Sequence, residues 1–507
     1  MSISGKNLIA GEWSGDTEGG FTAINAVENK PMGVRFADAT EQEVETAILQ
    51  ANQAFDSYHL ISAKKRAQFL RTIGEEIIAL GDELVDMATA ETGLPVMRIE
   101  GERGRTVGQL GLFADLLESG EYQGVIDHAD ANRQPLPKPD TRLGYLPLGV
   151  VGVFAASNFP LAFSTAGGDT ASALAAGCPV VMKAHAAHPG TAELVAQAIS
   201  RAISKCELHP GVFSLLQGKN YGIATQVVTH PLVKAVGFTG SERVGMILQK
   251  QINERPEPIP FYGELGSINP QFILPSKLAN QASETAQALV ASLMMGQGQF
   301  CTSPGIWVYI DGEGSEEFEA AVINAISDTQ AGVMLTPSIA HDYKETIEHW
   351  QSLPKVSLLA QGQPSKAHFC SAAVFATDFE TFKKTPALSE EVFGASALVV
   401  RVANLDEMLA FIQLMKGNLT ASVHANDADL PLSQSIVARL VHKVGRVIYN
   451  QMPTGVEVCA SMNHGGPFPA STDVRTTSVG SEAIKRFQRP ICYQNMPHAL
   501  LPELLRE

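Results

Sequence analysis

The sequence predicts an α/β protein, and the rhythm and the composition of the chain both support this fold class. From about residue 148 onward, short apolar runs alternate with amphipathic stretches, which is the pattern of parallel βαβ units. The composition, with 45% hydrophobic and 18% charged residues, is that of an ordered globular chain. A chain of 507 residues is long enough for roughly three domains with substantial cores.

We expect the first hundred residues to form helices after a short polar lead. The segment Thr40–Glu43 has the pattern of a capping box, and apolar residues then recur at helical spacing from Val44 to Phe55. A second series of apolar residues runs from Leu70 to Met87 and stops before Gly93-Leu94-Pro95. These patterns predict two amphipathic helices.

A first α/β series is expected after residue 148. Strands are predicted at Gly149–Ala156, Pro179–Lys183, Val212–Leu216 and Val233–Phe238, and helices are predicted to begin near Ser164, Thr191, Tyr221 and Ser241. In sheets of parallel strands, ligands bind beyond the carboxyl ends of the strands. Asn158, Lys183 and Gly240 all fall at such ends, so we expect them to lie near a ligand.

A second α/β series is expected to start near Phe261. Strands are predicted at Ile306–Ile310, Ala397–Val402, Thr420–His424 and Arg446–Tyr449, and helices near Ser283–Met295, Glu316–Ile326, Leu405–Leu414 and Leu432–Val441. Two further segments, 131–147 and 471–507, lack the pattern of a closed core. Together they predict a small arm that projects from the two α/β units.

The charge and the cysteines restrict the class of partner and the compartment. The net charge is −16 and the longest basic run is Lys64–Arg66, so we expect no nucleic-acid partner, which would need a clustered basic face. The six cysteines form no CxxC pair, as is typical of free thiols in a reducing compartment. The N-terminus has no apolar signal segment, and the apolar stretch 146–163 is interrupted by polar residues and prolines. We therefore expect a cytoplasmic protein with no membrane segment.

Cys301 is a candidate nucleophile. It follows an apolar helix and lies in the Gly- and Gln-rich stretch Gly296–Gly305, where glycines let a backbone approach a ligand closely. A thiolate in this position can form a covalent adduct with a substrate. The alternative is a buried structural thiol, which is the commoner state of an isolated cysteine.

Glu264 is a candidate general base. It stands between two glycines at the end of an apolar strand, a setting that we expect to raise the pKa of the carboxylate and to suit it to proton transfer. Taken alone, a glutamate at a strand end is more often solvated or serves as a cap. Its combination with Cys301 favours the functional interpretation.

Four other residues, in three motifs, have weaker indications. Asn158 lies in a turn where its side-chain amide can donate to an oxyanion, although a turn asparagine more often bonds its own backbone. Gly240 and Ser241 open a helix whose N-terminal N–H groups can hold phosphate, yet glycine is common at helix starts without any ligand. Lys183 ends a strand and either reaches a ribose or phosphate or is simply solvated.

The order of these motifs resembles the aldehyde dehydrogenase superfamily across nearly the whole chain. The sequence runs through Asn158-Phe-Pro, a strand-end Lys183, Gly240-Ser, Glu264-Leu-Gly-Ser, Phe300-Cys-Thr and Glu390-Glu-Val-Phe-Gly. The resemblance implies a Rossmann-type cofactor domain (1–130 and 148–260), an α/β catalytic domain (261–470) and a small β oligomerisation arm (131–147 and 471–507). It also implies a homodimer or homotetramer built by exchange of the arms.

By this resemblance, the protein is an enzyme that oxidises an aldehyde to an acid through a cysteine thioester. Cys301 attacks the aldehyde carbon, and the Asn158 amide and the Cys301 N–H hold the oxyanion. A hydride then leaves for the nicotinamide, and Glu264 activates the water that hydrolyses the thioester. The implied cofactor contacts are Lys183 at the adenosine ribose, Ser241 with its neighbour Gly240 at the pyrophosphate, and Glu391 and Phe393 at the nicotinamide ribose.

Two departures from the family pattern are informative. Ser157 stands where many members have a tryptophan before the catalytic asparagine. Ala186 stands where NAD-preferring members carry a glutamate that holds the ribose hydroxyls. Without that carboxylate a 2′-phosphate is not repelled, and Lys183, His185 and Lys219 can attract it. We therefore expect NADP as the cofactor, ahead of NAD.

Several short sequence motifs resemble those of a narrower branch of the superfamily. Pro453–Glu457 and His464–Ala470 are similar to the 2,5-dioxopentanoate (α-ketoglutarate semialdehyde) dehydrogenases of sugar-acid and hydroxyproline breakdown. The related NADP-dependent long-chain (fatty) aldehyde dehydrogenases are the close alternative. A carboxylate-bearing aldehyde needs a cation near its binding site, and Arg98, Arg103 and Arg105 are candidates, with a solvated helix face as the plainer explanation.

Functions of other classes stay open at this point. A non-catalytic binding or structural protein on the same fold has no need of both Cys301 and Glu264. An acyl-CoA-forming relative uses CoA in place of water, and the retained Glu264 disfavours it. A cysteine hydrolase with His464 as its base is compatible with the spacing. The histidines are scattered, and His185 and His188 lie in a loop, so no metal site is predicted.

Overall fold

The structure, a computed structural model, describes residues 3–122, 124–364 and 368–506. The strands over these ranges are β1 (Asn7–Ile9), β2 (Glu12–Ser14), β3 (Phe21–Asn25), β4 (Lys30–Phe36), β5 (Ile126–Asp127), β6 (Thr141–Pro147), β7 (Val150–Phe154), β8 (Val180–Lys183), β9 (Phe213–Leu216), β10 (Val233–Thr239), β11 (Phe261–Glu264), β12 (Gln271–Ile273), β13 (Ile306–Ile310), β14 (Gly332–Val333), β15 (Ser357–Gln361), β16 (Phe369–Cys370), β17 (Ala373–Asp378), β18 (Ser396–Val402), β19 (Asn418–His424), β20 (Val444–Tyr449) and β21 (Gln488–Gln494).

The α-helices over the same ranges are α1 (Glu41–Tyr58), α2 (Ala63–Ile78), α3 (Gly81–Thr92), α4 (Val96–Ser119), α5 (Gly168–Ala176), α6 (Pro189–Lys205), α7 (Tyr221–Thr229), α8 (Glu242–Asn253), α9 (Pro275–Met294), α10 (Ser315–Ser327), α11 (Pro337–Ser352), α12 (Phe379–Lys384), α13 (Leu405–Leu414) and α14 (Leu430–Leu440). No helix in the described part of the chain combines the length and the apolar character needed to cross a lipid bilayer.

Five parallel strands form the centre of the first sheet, in the spatial order β11-β10-β7-β8-β9. Counted along the chain, this is the order 5-4-1-2-3, which is that of a Rossmann-type nucleotide-binding sheet. The order reverses between β7 and β10, at the switch point where such sheets bind their ligands. The predicted α/β fold class with a Rossmann-type sheet is thus confirmed.

Helices cover both faces of this sheet, which explains the continuous apolar runs of its strands. All five residues of β7 are buried. Val151 and Val153 pack in the core formed with α2 to α6, whereas Val150 and Phe154 pack in the core formed with α1, α7 and α8. Successive side chains of a strand point to opposite faces, so each strand serves both cores.

The second sheet has the order β15-β17-β18-β13-β12-β19-β20, and β15 at its edge is the antiparallel strand. The predicted strand Ile306–Ile310 and the predicted helix Leu405–Leu414 are found with those bounds. The second α/β series does not start near Phe261 as expected, because β11 (Phe261–Glu264) pairs with β10 and belongs to the first sheet. The second sheet begins along the chain with β12.

A third, antiparallel sheet has the order β21-β6-β5 and brings together the two segments that predict an arm. Gln488 in β21 lies opposite Pro147 in β6, and the pairing continues to Gln494 opposite Thr141. The part of the second segment that precedes β21 lies elsewhere. Its residues Ala483 and Phe487 are buried in the core below the first sheet.

The expectation that helices directly follow a short polar lead is wrong for the first 36 residues. Strands β1 and β2 extend the first sheet beyond β9 as antiparallel strands, and β3 pairs with β4. β1 and β2 have only three residues each, too few to show an alternating pattern. The capping box of α1 is confirmed, since the Thr40 hydroxyl accepts from the Glu43 N–H and the Glu43 carboxylate accepts from the Thr40 N–H.

Candidate active site

The carboxyl ends of β7, β8, β10 and β11 meet at one edge of the first sheet. Phe154 lies in register with Lys183 and with Phe238, and Thr239 lies in register with Glu264. A cavity of about 820 Å³ opens at this edge. Its walls include the nine residues predicted from the sequence for catalysis and cofactor binding: Asn158, Lys183, His185, Gly240, Ser241, Glu264, Cys301, Glu391 and Phe393.

Cys301 sits in a tight turn that follows α9. The backbone of Gly298 has a φ of +69°, and an added Cβ there would lie 2.3 Å from the carbonyl group of Gly394. The side-chain amide of Asn269 donates to the carbonyl oxygens of Cys301 and Ser303, each at 2.9 Å. The glycine allows the close approach of the two loops, and the asparagine holds the turn that carries the thiol.

The thiol of Cys301 lies beside two buried polar side chains. Its Sγ is 3.6 Å from Nε2 of His464, and the same nitrogen is 2.9 Å from Oε1 of Glu264. The other carboxylate oxygen of Glu264 accepts a hydrogen bond from the Ser478 hydroxyl at 2.8 Å. Glu264 is only 4% exposed and His464 only 2%, so this group of side chains is screened from bulk water.

The surroundings shift the two titrating groups in opposite directions. Burial alone would raise the pKa of Glu264, but the nearby His464 and the hydrogen bonds from His464, Ser478 and Cys301 outweigh it and lower the pKa. The expected raised pKa of Glu264 is therefore wrong, because strand-end burial comes with three hydrogen-bond donors. Burial and the negative charge of Glu264 raise the pKa of the Cys301 thiol.

The side-chain amide of Asn158 approaches the same turn from the end of β7. Its Nδ2 donates to the carbonyl oxygen of Gln299 at 3.0 Å, and the residue is 8% exposed. An amide nitrogen has two protons, and this contact uses one of them. Asn158 thus bonds the turn of Cys301 and not its own backbone, which is the alternative for a turn asparagine.

The histidines and the thiol also bear on metal binding. Candidate ligand atoms of Glu264, Cys301 and His464 all lie within 4.8 Å of one another, an arrangement that the scattered histidines of the sequence do not predict. His188 has another role, because its Nε2 lies 2.8 Å from the carbonyl oxygen of Ala156 in a buried position. The ring of His188 thereby supports the segment between β7 and Asn158.

The outer part of the cavity carries the groups expected to contact a cofactor. The Lys183 ammonium donates to the carbonyl oxygens of Ala184 and Gly218, at 2.9 and 2.5 Å. Burial lowers the pKa of Lys183 to about 8, against the opposing effect of Asp38. Burial and the neighbouring His188 and Lys183 hold the pKa of His185 well below its usual value. His185 is therefore a neutral donor here and not the cation that the sequence suggests.

The start of α8, in the wall of this cavity, has the features of a site for the phosphates of a dinucleotide. Ser241 is the N-cap of the 12-residue helix α8, whose first N–H groups face the switch point between β7 and β10. The Ser241 hydroxyl accepts from the Val244 N–H at 3.4 Å, so the hydroxyl caps the helix while its remaining N–H groups stay available. An added Cβ at Gly240 would lie 2.8 Å from the Phe238 ring, so a side chain there would crowd the entrance to the helix.

The three arginines predicted as substrate anchors have different surroundings. Arg98 forms an ion pair with the buried Glu102 at 2.6 Å. Arg103 donates to the carbonyl oxygen of Gly81 at 2.9 Å. Arg105 donates to the carbonyl oxygen of Val456. Among the described residues, only Arg98 of the three has a carboxylate within ion-pair distance.

Sequence reasoning missed or underrated two residues of the site. Ser478 lies in the segment expected to form the arm, and nothing in its local sequence marks it. His464 enters only as the base of the hydrolase alternative, although the structure places it against both Cys301 and Glu264. Their contacts span 163 to 214 positions of the chain, and only co-variation among related sequences could have indicated them.

Comparisons with known proteins agree with this geometry. The sequence model of the aldehyde dehydrogenase family matches residues 13–488. "Alpha-ketoglutaric semialdehyde dehydrogenase 2" of Azospirillum brasilense is 47% identical over 100% of this chain and 97% of its own length. "Alpha-ketoglutaric semialdehyde dehydrogenase" of Acinetobacter baylyi is 42% identical over 99% of this chain and 96% of its own length.

Solved structures share the fold. Betaine aldehyde dehydrogenase from Staphylococcus aureus, in complex with NAD+, superposes with a TM-score of 0.84 at 20% identity, covering 98% of this chain and 96% of that chain. An Escherichia coli protein described as an NADP-dependent enzyme superposes with a TM-score of 0.82 at 21% identity, covering 97% and 98%. The match of the sequence model over most of the chain, with two full-length relatives above 40% identity, shows that this chain belongs to the aldehyde dehydrogenase family.

Proposed function

We propose that this chain oxidises 2,5-dioxopentanoate, also called α-ketoglutaric semialdehyde, to 2-oxoglutarate with NADP as the oxidant. The observation that carries the chemistry is the convergence of Cys301, Glu264 and Asn158 at the inner end of a cavity large enough for a dinucleotide. The substrate comes from the two relatives that are 47% and 42% identical over nearly the whole chain and bear that name.

In the proposed mechanism, Cys301 and Asn158 form and stabilise the first intermediate. Sγ of Cys301 attacks the aldehyde carbon, and the thiol proton passes to the Glu264 carboxylate, which accepts a hydrogen bond from the thiol and releases the proton to water before the hydrolysis. The second amide proton of Asn158 and the backbone N–H of Cys301 donate to the resulting oxyanion. The raised pKa of the thiol means that attack needs this nearby base.

The second half of the reaction depends on Glu264. Glu391 and Phe393 would hold the nicotinamide ribose, and a nicotinamide bound there would supply the hydride acceptor for oxidation to the thioester. The lowered pKa keeps Glu264 ionised near neutral pH, so the carboxylate can take a proton from the water that attacks the thioester. The Ser478 hydroxyl fixes the other oxygen of that carboxylate, and release of the acid regenerates the thiol.

The preference for NADP rests on the charges around the outer cavity. Lys183, Lys219 and Arg243 line the same cavity as Ala186, which stands where NAD-preferring members carry glutamate, and the Asp38 carboxylate beside Lys183 and Lys219 offsets only part of this positive charge. Nδ1 of His185 accepts from the Ala187 N–H, so the proton of the neutral ring lies on Nε2. That N–H can donate a hydrogen bond to the 2′-phosphate. The ratio of kcat/KM for NADP to that for NAD tests this point, and a clear preference for NAD would refute it.

The assembly proposed is a homodimer or homotetramer that uses the three-stranded arm sheet. β21 is an edge strand of this sheet, and several of its residues are exposed. An open edge of seven residues is a natural place for a strand of a second copy. Sedimentation equilibrium gives the mass directly, and a monomer at micromolar concentration would contradict the proposal.

The six free thiols agree with the cytoplasmic compartment that we propose.

A panel of aldehydes tests the proposed activity. We expect the highest kcat/KM for 2,5-dioxopentanoate, a lower value for succinic semialdehyde and a much lower value for decanal, with no dependence on added CoA. A preference for decanal would instead support a fatty aldehyde dehydrogenase. Turnover that survives the substitution Cys301→Ser would exclude the thioester route, and the absence of turnover with every aldehyde would support a non-catalytic protein.

A further inference from the structure

Two guanidinium groups hold the same loop from different parts of the fold. Arg105, on α4, donates to the carbonyl oxygen of Val456. Arg446, on β20, donates to the carbonyl oxygens of Gly455 and Pro453 at 2.6 and 2.7 Å. The loop 453–456 is thereby fixed between a helix of the first half of the chain and a strand of the second sheet.

Both guanidinium groups lack a carboxylate partner. Within the described residues no carboxylate lies within ion-pair distance of Arg105 or Arg446, and the Nε of each is buried without a hydrogen bond. Of the two acidic residues that act on Arg105 electrostatically, Glu102 is paired with Arg98, and Glu457 is exposed to solvent. Burial lowers the pKa of both arginines. A partly buried cation with a free donor is costly unless an anion is supplied.

Both groups lie close to the reacting thiol. The Arg105 guanidinium is 5.9 Å from the centre of the Phe163 ring, which is 6.0 Å from the ring of His464. Gly445, next to Arg446, accepts through its carbonyl oxygen from Asn463, the neighbour of His464, at 3.0 Å. The negative charge of a Cys301 thiolate raises the pKa of each arginine, which agrees with this proximity.

The pair approaches Cys301 from outside the cofactor cavity. Neither Arg105 nor Arg446 belongs to the walls that contain Lys183, Ser241 and Cys301. A ligand held by these arginines therefore does not need the space that the dinucleotide requires.

We infer that Arg105 and Arg446 bind the carboxylate of the substrate and so select aldehydes that carry an acid group a few carbons from the aldehyde. The inference rests on the proposed function and adds the residues that determine its specificity. A guanidinium offers parallel N–H donors to the two oxygens of a carboxylate. An aldehyde without the acid group leaves both cations unpaired, which is the stronger form of discrimination.

The structure also distinguishes the three arginines that the sequence suggests as anchors for the substrate carboxylate. Arg98 is neutralised by Glu102, and Arg103 is used by the carbonyl oxygen of Gly81. Arg105 also donates to a backbone carbonyl, but unlike Arg103 its Nε is buried without a hydrogen bond, and the charge of Cys301 acts on it. Arg446 was not expected, because a single arginine in a strand has no distinctive sequence pattern. The pairing depends on the second sheet, which brings β20 to the loop that Arg105 contacts.

The test compares two classes of aldehyde in Arg105→Met and Arg446→Met, with Arg103→Met on the same helix as the matched control. The carboxylate class is 2,5-dioxopentanoate, succinic semialdehyde and glutaric semialdehyde, and the uncharged class is pentanal. We expect the ratio of kcat/KM for the best carboxylate aldehyde to that for pentanal to fall about 10- to 100-fold in each variant, through KM. The ratio should stay within about threefold in Arg103→Met, and the Lys variants should recover part of the loss.

The outcomes distinguish this inference from the proposed function. If the variants lose activity equally with both classes and melt at lower temperature, the arginines only support the loop and the inference is wrong. If the wild type prefers succinic or glutaric semialdehyde and the ratio still falls in the variants, the anchor stands and the proposed substrate is wrong. If the wild type prefers pentanal to every carboxylate aldehyde, the anchor itself is refuted.

Discussion

The substitution Glu264→Gln separates the two halves of the proposed reaction. Glutamine keeps the size of the side chain, and it retains an oxygen for the 2.9 Å contact with His464 or the 2.8 Å contact with Ser478. It removes the carboxylate that activates water. Loss of a general base costs about 10²- to 10⁴-fold, so kcat should fall by that factor, equivalent to about 2.7–5.4 kcal/mol at 1.36 kcal/mol per factor of ten.

The assay for this variant is stopped-flow absorbance of NADPH at high enzyme concentration. Because the attack by Cys301 and the hydride step precede the hydrolysis, we expect a rapid burst of about one NADPH per active site, followed by very slow turnover. In this variant the glutamine oxygen can keep the Ser478 contact and the glutamine amide nitrogen then faces His464, so Nε2 of His464 carries a lone pair and can accept the thiol proton in place of Glu264. A variant with the same steady-state loss but no burst would show that Glu264 is needed before the thioester forms, and an unchanged kcat would refute its role altogether.

Three further substitutions test the local physics of the site. Ser478→Ala removes one hydrogen bond from the Glu264 carboxylate, so the pKa of Glu264 should rise; because activity needs the ionised form and is lost as the pH falls, the acid limb of the kcat/KM profile should move to higher pH. An unmoved acid limb would assign that limb to another group. Ala186→Glu places a carboxylate in the cation-lined part of the cavity and should reduce the NADP to NAD ratio of kcat/KM about 10- to 100-fold, whereas an unchanged ratio would mean that the 2′-phosphate binds elsewhere. Gly298→Ala puts a Cβ 2.3 Å from the Gly394 carbonyl at a φ of +69°, so it should destabilise the fold by about 1–3 kcal/mol and lower kcat; calorimetry and initial rates measure both, and a wild-type kcat would contradict the account of the turn.

The central parts of both sheets were predictable because their patterns are local. β7 is a continuous apolar run, as a strand covered on both faces requires, and β13 and α13 have the bounds that the sequence predicts. β1 and β2 were not predictable, because three-residue strands at a sheet margin take their conformation from pairing with distant residues. The placement of β11 in the first sheet likewise depends on its pairing with β10.

The sequence predicted those residues of the candidate site that lie in distinctive short motifs. Cys301, Glu264 and Asn158 stand in distinctive short phrases, and the structure brings all three to one cavity. The pKa of Glu264 was expected in the wrong direction, since its local sequence shows the burial and not the donors from His464 and Ser478. Those donors lie 200 and 214 positions away along the chain, beyond the reach of any local pattern.

The residues proposed to bind the substrate carboxylate were also only partly predictable from the sequence. The sequence offers three arginines on one helix, and helical spacing cannot say which of them lacks a carboxylate partner. The structure makes this distinction, since Arg98 is paired with Glu102 and Arg105 is not. Arg446 joins Arg105 only because β20 lies at the end of the second sheet beside the loop that both contact.

The most direct test of the central claim is the mass of the Cys301 peptide after single turnover. Glu264→Gln is mixed with NADP and 2,5-dioxopentanoate, quenched in acid, digested and analysed by mass spectrometry. The proposed mechanism predicts one 2-oxoglutaryl group on Cys301, in an amount equal to the NADPH burst and removable by hydroxylamine. An unmodified Cys301 peptide despite NADPH formation, or the acyl group on another residue, would contradict the claim that this thiol carries the reaction.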